Sequence, residues 1–134
     1  MGKNFEGQDL REKDFSGQDL TGVRLHGADL TGADLKGANL TGADLKDANL
    51  EGAELTEANL TGANLKGANL EGVNLNGANL SAVRSGGTTE GVWSALPEAW
   101  KLINGYLIGP GADLTDANLT GANLTGADLT GADL

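Results

Sequence analysis

Residues 28–42 read ADLTG ADLKG ANLTG, three copies of one five-residue unit: a small residue, Asp or Asn, Leu, a polar residue and Gly. The beat continues in both directions. With the central apolar residue taken as position i, every fifth residue from Phe5 to Leu80 is Phe or Leu, sixteen in succession. After a break it resumes one residue out of step, at Leu114, Leu119, Leu124, Leu129 and Leu134. Position i−2 is small from Ala28 to Ala68, with Val23 and Val73 as larger exceptions. Position i−1 is Asp, Asn or occasionally Glu, position i+1 is Thr, Lys, Glu or Ser, and position i+2 is usually Gly.

A repeat at fixed period decides the architecture, so it is read first. Apolar residues at i and i−2, with a polar one between, point to the same side of an extended segment. The next two residues turn a corner, because Gly adopts positive φ without steric cost. A helix is excluded, since a five-residue period spreads leucines around every side of a 3.6-residue spiral. The pattern predicts an all-β chain of short extended sides and tight corners.

Units such as those at 28–42, and the opening FEGQDLREKDFSGQDLTG from Phe5, are similar to the pentapeptide-repeat family over positions 3–84 and 112–134. That resemblance implies a right-handed, quadrilateral parallel β-helix with four units per coil and positions i and i−2 inside. Residues twenty apart then stack. Phe5, Leu25, Leu45 and Leu65 form one inner column, and the series from Leu10, Phe15 and Leu20 form the other three. At about 4.8 Å per stacked strand, four coils make a rod about 20 Å long. The chain is expected to be one domain over 1–134: four coils at 3–84, an inserted loop with a hairpin at 85–111, and repeats at 112–134. In the first coil position i−2 is Lys3, Gln8, Lys13 and Gln18. These are expected to face inward as a polar cap on the terminal coil, with Phe5 and Phe15 filling the coil from opposite faces.

Nineteen acidic residues against nine basic give a net charge of −10. Phosphate backbones and anionic lipid repel such a chain, so direct nucleic-acid and membrane partners are not expected. There is no cysteine, the start MGKNFEGQDL lacks the apolar core of a signal peptide, and a cytoplasmic protein is the expectation. His26 is the only histidine, so a His-centred metal or catalytic site has no second member. Neither metal, cofactor nor enzymatic activity is expected.

Stacking sorts the outer residues by side. Asp14, Asp34 and Glu54 form an acidic stripe continued by Asn74, while His26, Lys46 and Lys66 form a weakly basic strip and Thr21, Thr41, Thr61 and Ser81 a hydroxyl ladder. The stripe reads either as a solvated surface or as a mimic of nucleic-acid phosphates. The interruption holds Trp93, Trp100 and Tyr106. Its WKLI-NG-YLIG predicts a hairpin over 100–103 and 106–109 turning at Asn104-Gly105, and the SGGTTEG before it reads as flexible loop. Three readings of the interruption are open: aromatics packed on the side of the rod, a projecting partner-binding loop, or a hinge for exchanging the C-terminal coil between two chains. Candidate partner-binding residues are therefore Trp93, Trp100, Tyr106, Asp14, Asp34 and Glu54. The C-terminal coil has Ala127, Leu129, Ala132 and Leu134 without a polar cap, and a homodimer through it, or by swapping, is expected. The function expected is a structural or protein-interaction module whose partner the sequence does not name. The alternative is a DNA-mimicking regulator of a type II topoisomerase.

Overall fold

The computed structural model describes residues 3–88 and 95–134. Backbone bridges define the coil. Asn4 pairs in parallel with Arg24, Asp9 with Asp29, Asp14 with Asp34 and Asp19 with Asn39, and the step of twenty repeats as far as Asn64 with Arg84. Four sides therefore close one coil, numbered here from the sides that begin with Asn4, Asp9, Asp14 and Asp19. Each side is too short to register as a strand, yet all four are extended and all pair in parallel. No helix occurs among the described residues, and none is long and apolar enough to cross a membrane.

Local chemistry makes each corner. The N–H of Ala28 donates to the carbonyl of Leu25 at 3.0 Å, closing a four-residue turn with Gly27 at φ 69°. Positive φ at the third turn residue alone is type II geometry, which is why Gly recurs there. Asp47, Glu57 and Asp116 take the same conformation without being glycine. The residue at i−1 then caps the corner from outside: Asp29 Oδ1 accepts the N–H of Thr31 at 3.0 Å and its hydroxyl at 2.6 Å. Asn59 does the same for Thr61 at 3.0 and 2.6 Å. The capping atom is a carbonyl-type oxygen that Asp and Asn share, and this accounts for their interchange at i−1.

Between coils, each side contributes three backbone bonds. On the first side Leu25 N–H donates to Asp44, Gly27 N–H to Lys46 and Asp44 N–H to Val23, at 2.7–2.9 Å. Inside, the leucines from Leu25 to Leu80 are fully buried, with Ala28 to Ala68 beside them. Phe5 and Phe15 meet across the first coil with ring centres 6.3 Å apart. Lys3, Gln8, Lys13 and Gln18 are exposed, contrary to the expected inward cap. With one side of that coil open to water, their long side chains reach solvent while the two Phe rings cover the core.

The interruption is a finding of its own. Strand β1 (Lys101–Ile103) pairs antiparallel with β2 (Tyr106–Ile108), with Ile103 opposite Tyr106. Asn104 and Gly105 have φ of 51° and 79°, both positive as a type I′ turn requires. Predicted and observed hairpins agree except for one residue at each outer end. Arg84 bridges to Asp113, a step of 29 residues where the rod steps by 20, so nine extra residues put the later leucines one place out of register. Asp113 bridges to Asp133 and restores the step of twenty.

The hairpin does not project. Leu102 and Leu107, opposite one another, pack into the core of the rod, while Ile103, Tyr106 and Ile108 pack against the apolar residues of the C-terminal coil. It lies as a two-faced layer between the coils ending at Arg84 and the last coil, and divides the interior in two.

Candidate functional site

Position 85 continues the column of Phe5, Leu25, Leu45 and Leu65, but holds Ser. Ser85 is buried, and its Oγ accepts the N–H of Leu107 at 2.8 Å. Thr88, also buried, donates its hydroxyl to the carbonyl of Gly105 at 2.6 Å. Residues 85–88, expected as flexible loop, instead clamp the hairpin tip. The Ser85 hydroxyl oxygen thus satisfies the buried N–H of Leu107, and Thr88 gives the Gly105 carbonyl both its hydroxyl and its N–H, the latter at 3.3 Å. Register was the signal: a polar residue on a leucine beat marks a place where something polar must be met.

Where the last coil stands off the rod, a cleft of about 210 Å³ opens on the first side. Lys66 and Arg84 reach it from the rod, Tyr106 from the hairpin, and Asp113, Thr115 and Asp116 from the last coil. Gly86 lies beneath the Tyr106 ring, where a Cβ would stand 2.8 Å from the ring edge. The Tyr106 hydroxyl oxygen accepts the N–H of Asn118 at 3.0 Å. Arg84 Nε is 4.0 Å from Asp113 Oδ2. The hydroxyl and N–H of Thr115, and then the positive charges of Arg84 and Lys66, hold the Asp113 carboxyl below the usual carboxylate range. Two cations, two carboxylates and a phenol suit recognition of charged groups. Ser85 Oγ is taken up by the hairpin, and His26 lies elsewhere on the first side, 3.5 Å from Asp47.

Of the residues singled out in the sequence, Tyr106 lines this cleft. Trp100 is half-buried between the two cores, and a Cβ at Gly109 would land inside its indole, so Gly109 is required by contact. Trp93 lies outside the described residues. The picture of Trp100 and Tyr106 on a projecting loop is corrected, because burial of the hairpin's two apolar faces outweighs its exposure. Asp14, Asp34 and Glu54 do stack on the third side, through parallel bridges between successive coils. One oxygen of each is engaged locally: Asp14 Oδ1 by Ser16, Asp34 Oδ1 by the Lys36 N–H, and Glu54 Oε1 by the Thr56 hydroxyl. Above them the side continues with Asn74 and Ala95. No group of three or more His, Cys, Asp or Glu placed to hold a metal ion occurs among the described residues.

The family model for pentapeptide repeats matches eight copies, over residues 4–37, 38–77, 53–84 and 110–134. The chain belongs to the pentapeptide-repeat family. The matched ranges leave out 85–109, the interruption that carries the hairpin. No curated protein matches the chain. Among solved structures, a pentapeptide repeat protein from the Arabidopsis thaliana thylakoid lumen is 41% identical with a TM-score of 0.66, over 85% of this chain and 70% of that one. One from Nostoc PCC 7120 is 37% identical with a TM-score of 0.63, over 75% of this chain and 79% of its own. One from the cyanobacterium Cyanothece 51142 is 36% identical with a TM-score of 0.65, over 66% of this chain but only 60% of its own length.

Proposed function

We propose that this chain is a non-enzymatic protein-interaction module: a rigid acidic rod, wound right-handed as parallel crossovers are, that recognises a protein partner at its hairpin end. One observation carries the reading. The rod is closed and self-satisfied along its length, whereas the cleft gathers Lys66, Arg84 and Tyr106 against Asp113 and Asp116 at the place where the repeat is broken. Lys66 and Arg84 offer charge-assisted donors to a partner's carboxylate, and Asp116 accepts a partner's cation. At a net charge of −10 the remaining surface repels nucleic acid and anionic membrane, and the setting is the cytoplasm. Association of two copies through the C-terminal coil is a second mode of contact. The nucleic-acid-mimic reading is not favoured, because the acidic run on the third side ends at Glu54 and is followed by Asn74 and Ala95.

Affinity capture from the source cell with wild type and with a Lys66→Glu/Arg84→Glu variant tests the proposal. The expected result is a partner retained by wild type and lost by the variant. The same partner held equally by both would exclude the cleft. Inhibition of gyrase supercoiling by the purified protein, abolished by Asp14→Asn/Asp34→Asn/Glu54→Gln, would instead establish the mimic.

A further inference from the structure

The C-terminal coil is fastened differently from every coil beneath it. In the rod, a coil is tied to the next by backbone bonds on all four sides. Among the described residues, the last coil's backbone bonds to the rod cluster at the start of the first side: Asp113 N–H to Val83 at 3.0 Å, and Ala82 N–H to Gly111 at 2.6 Å at the corner leading in from the fourth. Its end folds back on the first side, with Leu114 N–H donating to Asp133 at 2.7 Å and Asp133 N–H to Ala112 at 2.8 Å. Beyond those bonds its apolar residues share one cluster with Ile103, Tyr106 and Ile108 of the hairpin. Among the described residues, two polar ties span that junction: Asn118 N–H to the Tyr106 hydroxyl at 3.0 Å, and Lys101 Nζ to the Thr125 carbonyl at 3.1 Å. The remaining contact is apolar: Leu119, Leu124 and Leu129, half-buried, pack with Ile103, Tyr106 and Trp100 around the buried Ile108, Ala112 and Leu114.

We infer that residues 112–134 form a strap that opens as one unit, hinged on the first side at Ala82–Val83 and Gly111–Asp113, while the coils below stay closed. The hinge bonds and the strap's own closure survive the motion. Among the described residues, what breaks is two polar ties and the apolar contact around Ile108, less than parting two coils of the rod, which share backbone bonds on all four sides. Local opening draws on the parts of a structure with the fewest buried contacts and bonds. Opening uncovers the Ile103, Tyr106 and Ile108 face of the hairpin and widens the cleft, so the strap gates an apolar surface that the closed protein hides.

Amide hydrogen exchange on the intact chain tests this. Segment 115–130 is expected to exchange at least about 100-fold faster than segment 40–60 under native conditions. Tyr106→Phe keeps the ring and removes the hydroxyl acceptor, and should speed exchange of 115–130 by a further ~3- to 10-fold while leaving 40–60 unchanged. Should that variant fold poorly, Lys101→Met removes the other tie from an exposed position and is expected to act in the same direction. Equal exchange in the two segments would overturn the proposal. So would variants that leave 115–130 unchanged, or that accelerate both segments alike.

Discussion

The coils of residues 23–84 and the coil of residues 112–134 are written in the same five-residue words, yet they are held by different means. In the first, Leu, Ala and Gly recur so regularly that each side repeats the bonds of the side below. In the second, the words are ADLTDANLTGANLTGADLTGADL, but the layer beneath is a hairpin instead of a coil. A repeat unit has no stability of its own; its hold comes from whatever it stacks on. One inserted element therefore changes the energetics of five later units without altering a letter of them.

Core truncations break this comparison most sharply. Leu65 is 1% exposed in the first column, directly below Ser85. Leu65→Ala should cost about 2–5 kcal/mol through the cavity left behind. Leu129→Ala, in the half-exposed last coil, should cost only about 1 kcal/mol. Denaturant midpoints that fell equally for both would mean that the last coil is as tightly held as the rod.

Ser85→Ala sharpens it next. The rod beneath is untouched, but the buried N–H of Leu107 loses its acceptor, at a cost of about 1–3 kcal/mol. The change should appear first in the fluorescence of Trp100, which packs on the hairpin, before the rod unfolds. A variant with unchanged stability would show that the hairpin amide finds another acceptor.

Most of this was legible in the chain. The leucine beat placed the core and, with the family's four units per coil, the columns, because burial tolerates no exception once twenty residues close a layer. Asn104-Gly105 placed the hairpin, since few dipeptides accept two positive φ values. The direction in which the hairpin folds was not read. It depends on Ser85 and Thr88, whose hydroxyls look like loop composition until Ser85 is counted on the column of Leu25, Leu45 and Leu65. The cleft was missed for the same reason: Lys66, Arg84, Tyr106 and Asp116 are far apart in sequence and meet only because nine residues were inserted. At the other end Lys3 and Gln8 were assigned by position alone, whereas an outermost layer lets a long polar side chain turn to water.

Two glycine substitutions extend the comparison to the corners, with a smaller effect. Gly62 and Gly77 have φ of 70° and 72°, and either Gly→Ala should cost about 1–2 kcal/mol in backbone strain. Around Gly62 there is open space, but a Cβ at Gly77 would stand 2.7 Å from the Glu57 carboxylate of the coil below. Glu57 is exposed and can swing away, so the excess at Gly77 should be only about 0.5 kcal/mol. It should vanish in a Glu57→Ala background, as a double-mutant cycle would measure.

The smallest effect concerns the corner caps and separates Asp from Asn. Asp14, Asp19, Asp29 and Asp128 have carboxyls below their ordinary value, first because of the hydroxyl two residues on and then because of that residue's N–H. Asp9, bonded by the Arg11 side chain, is brought down to about 2. A carboxyl depressed in the folded state stabilises fully above its unfolded pKa of about 3.9 and loses that contribution as pH falls through the folded value. The window is therefore pH 4 down to about 2, and stability should decline there as each carboxylate takes a proton it holds more weakly folded than unfolded. Asp9, Asp14 and Asp19 are exposed and Asp29 and Asp128 only half-buried, so each contribution is small. Asn39 and Asn59 cap the same corner with the same oxygen and have no proton to gain. Asp19→Asn/Asp29→Asn should thus leave the neutral-pH midpoint within about 0.5 kcal/mol of wild type and reduce the loss between pH 4 and 2. A variant with an unchanged acid slope would show that these carboxylates titrate alike folded and unfolded, and that Asp serves the corner only as Asn does.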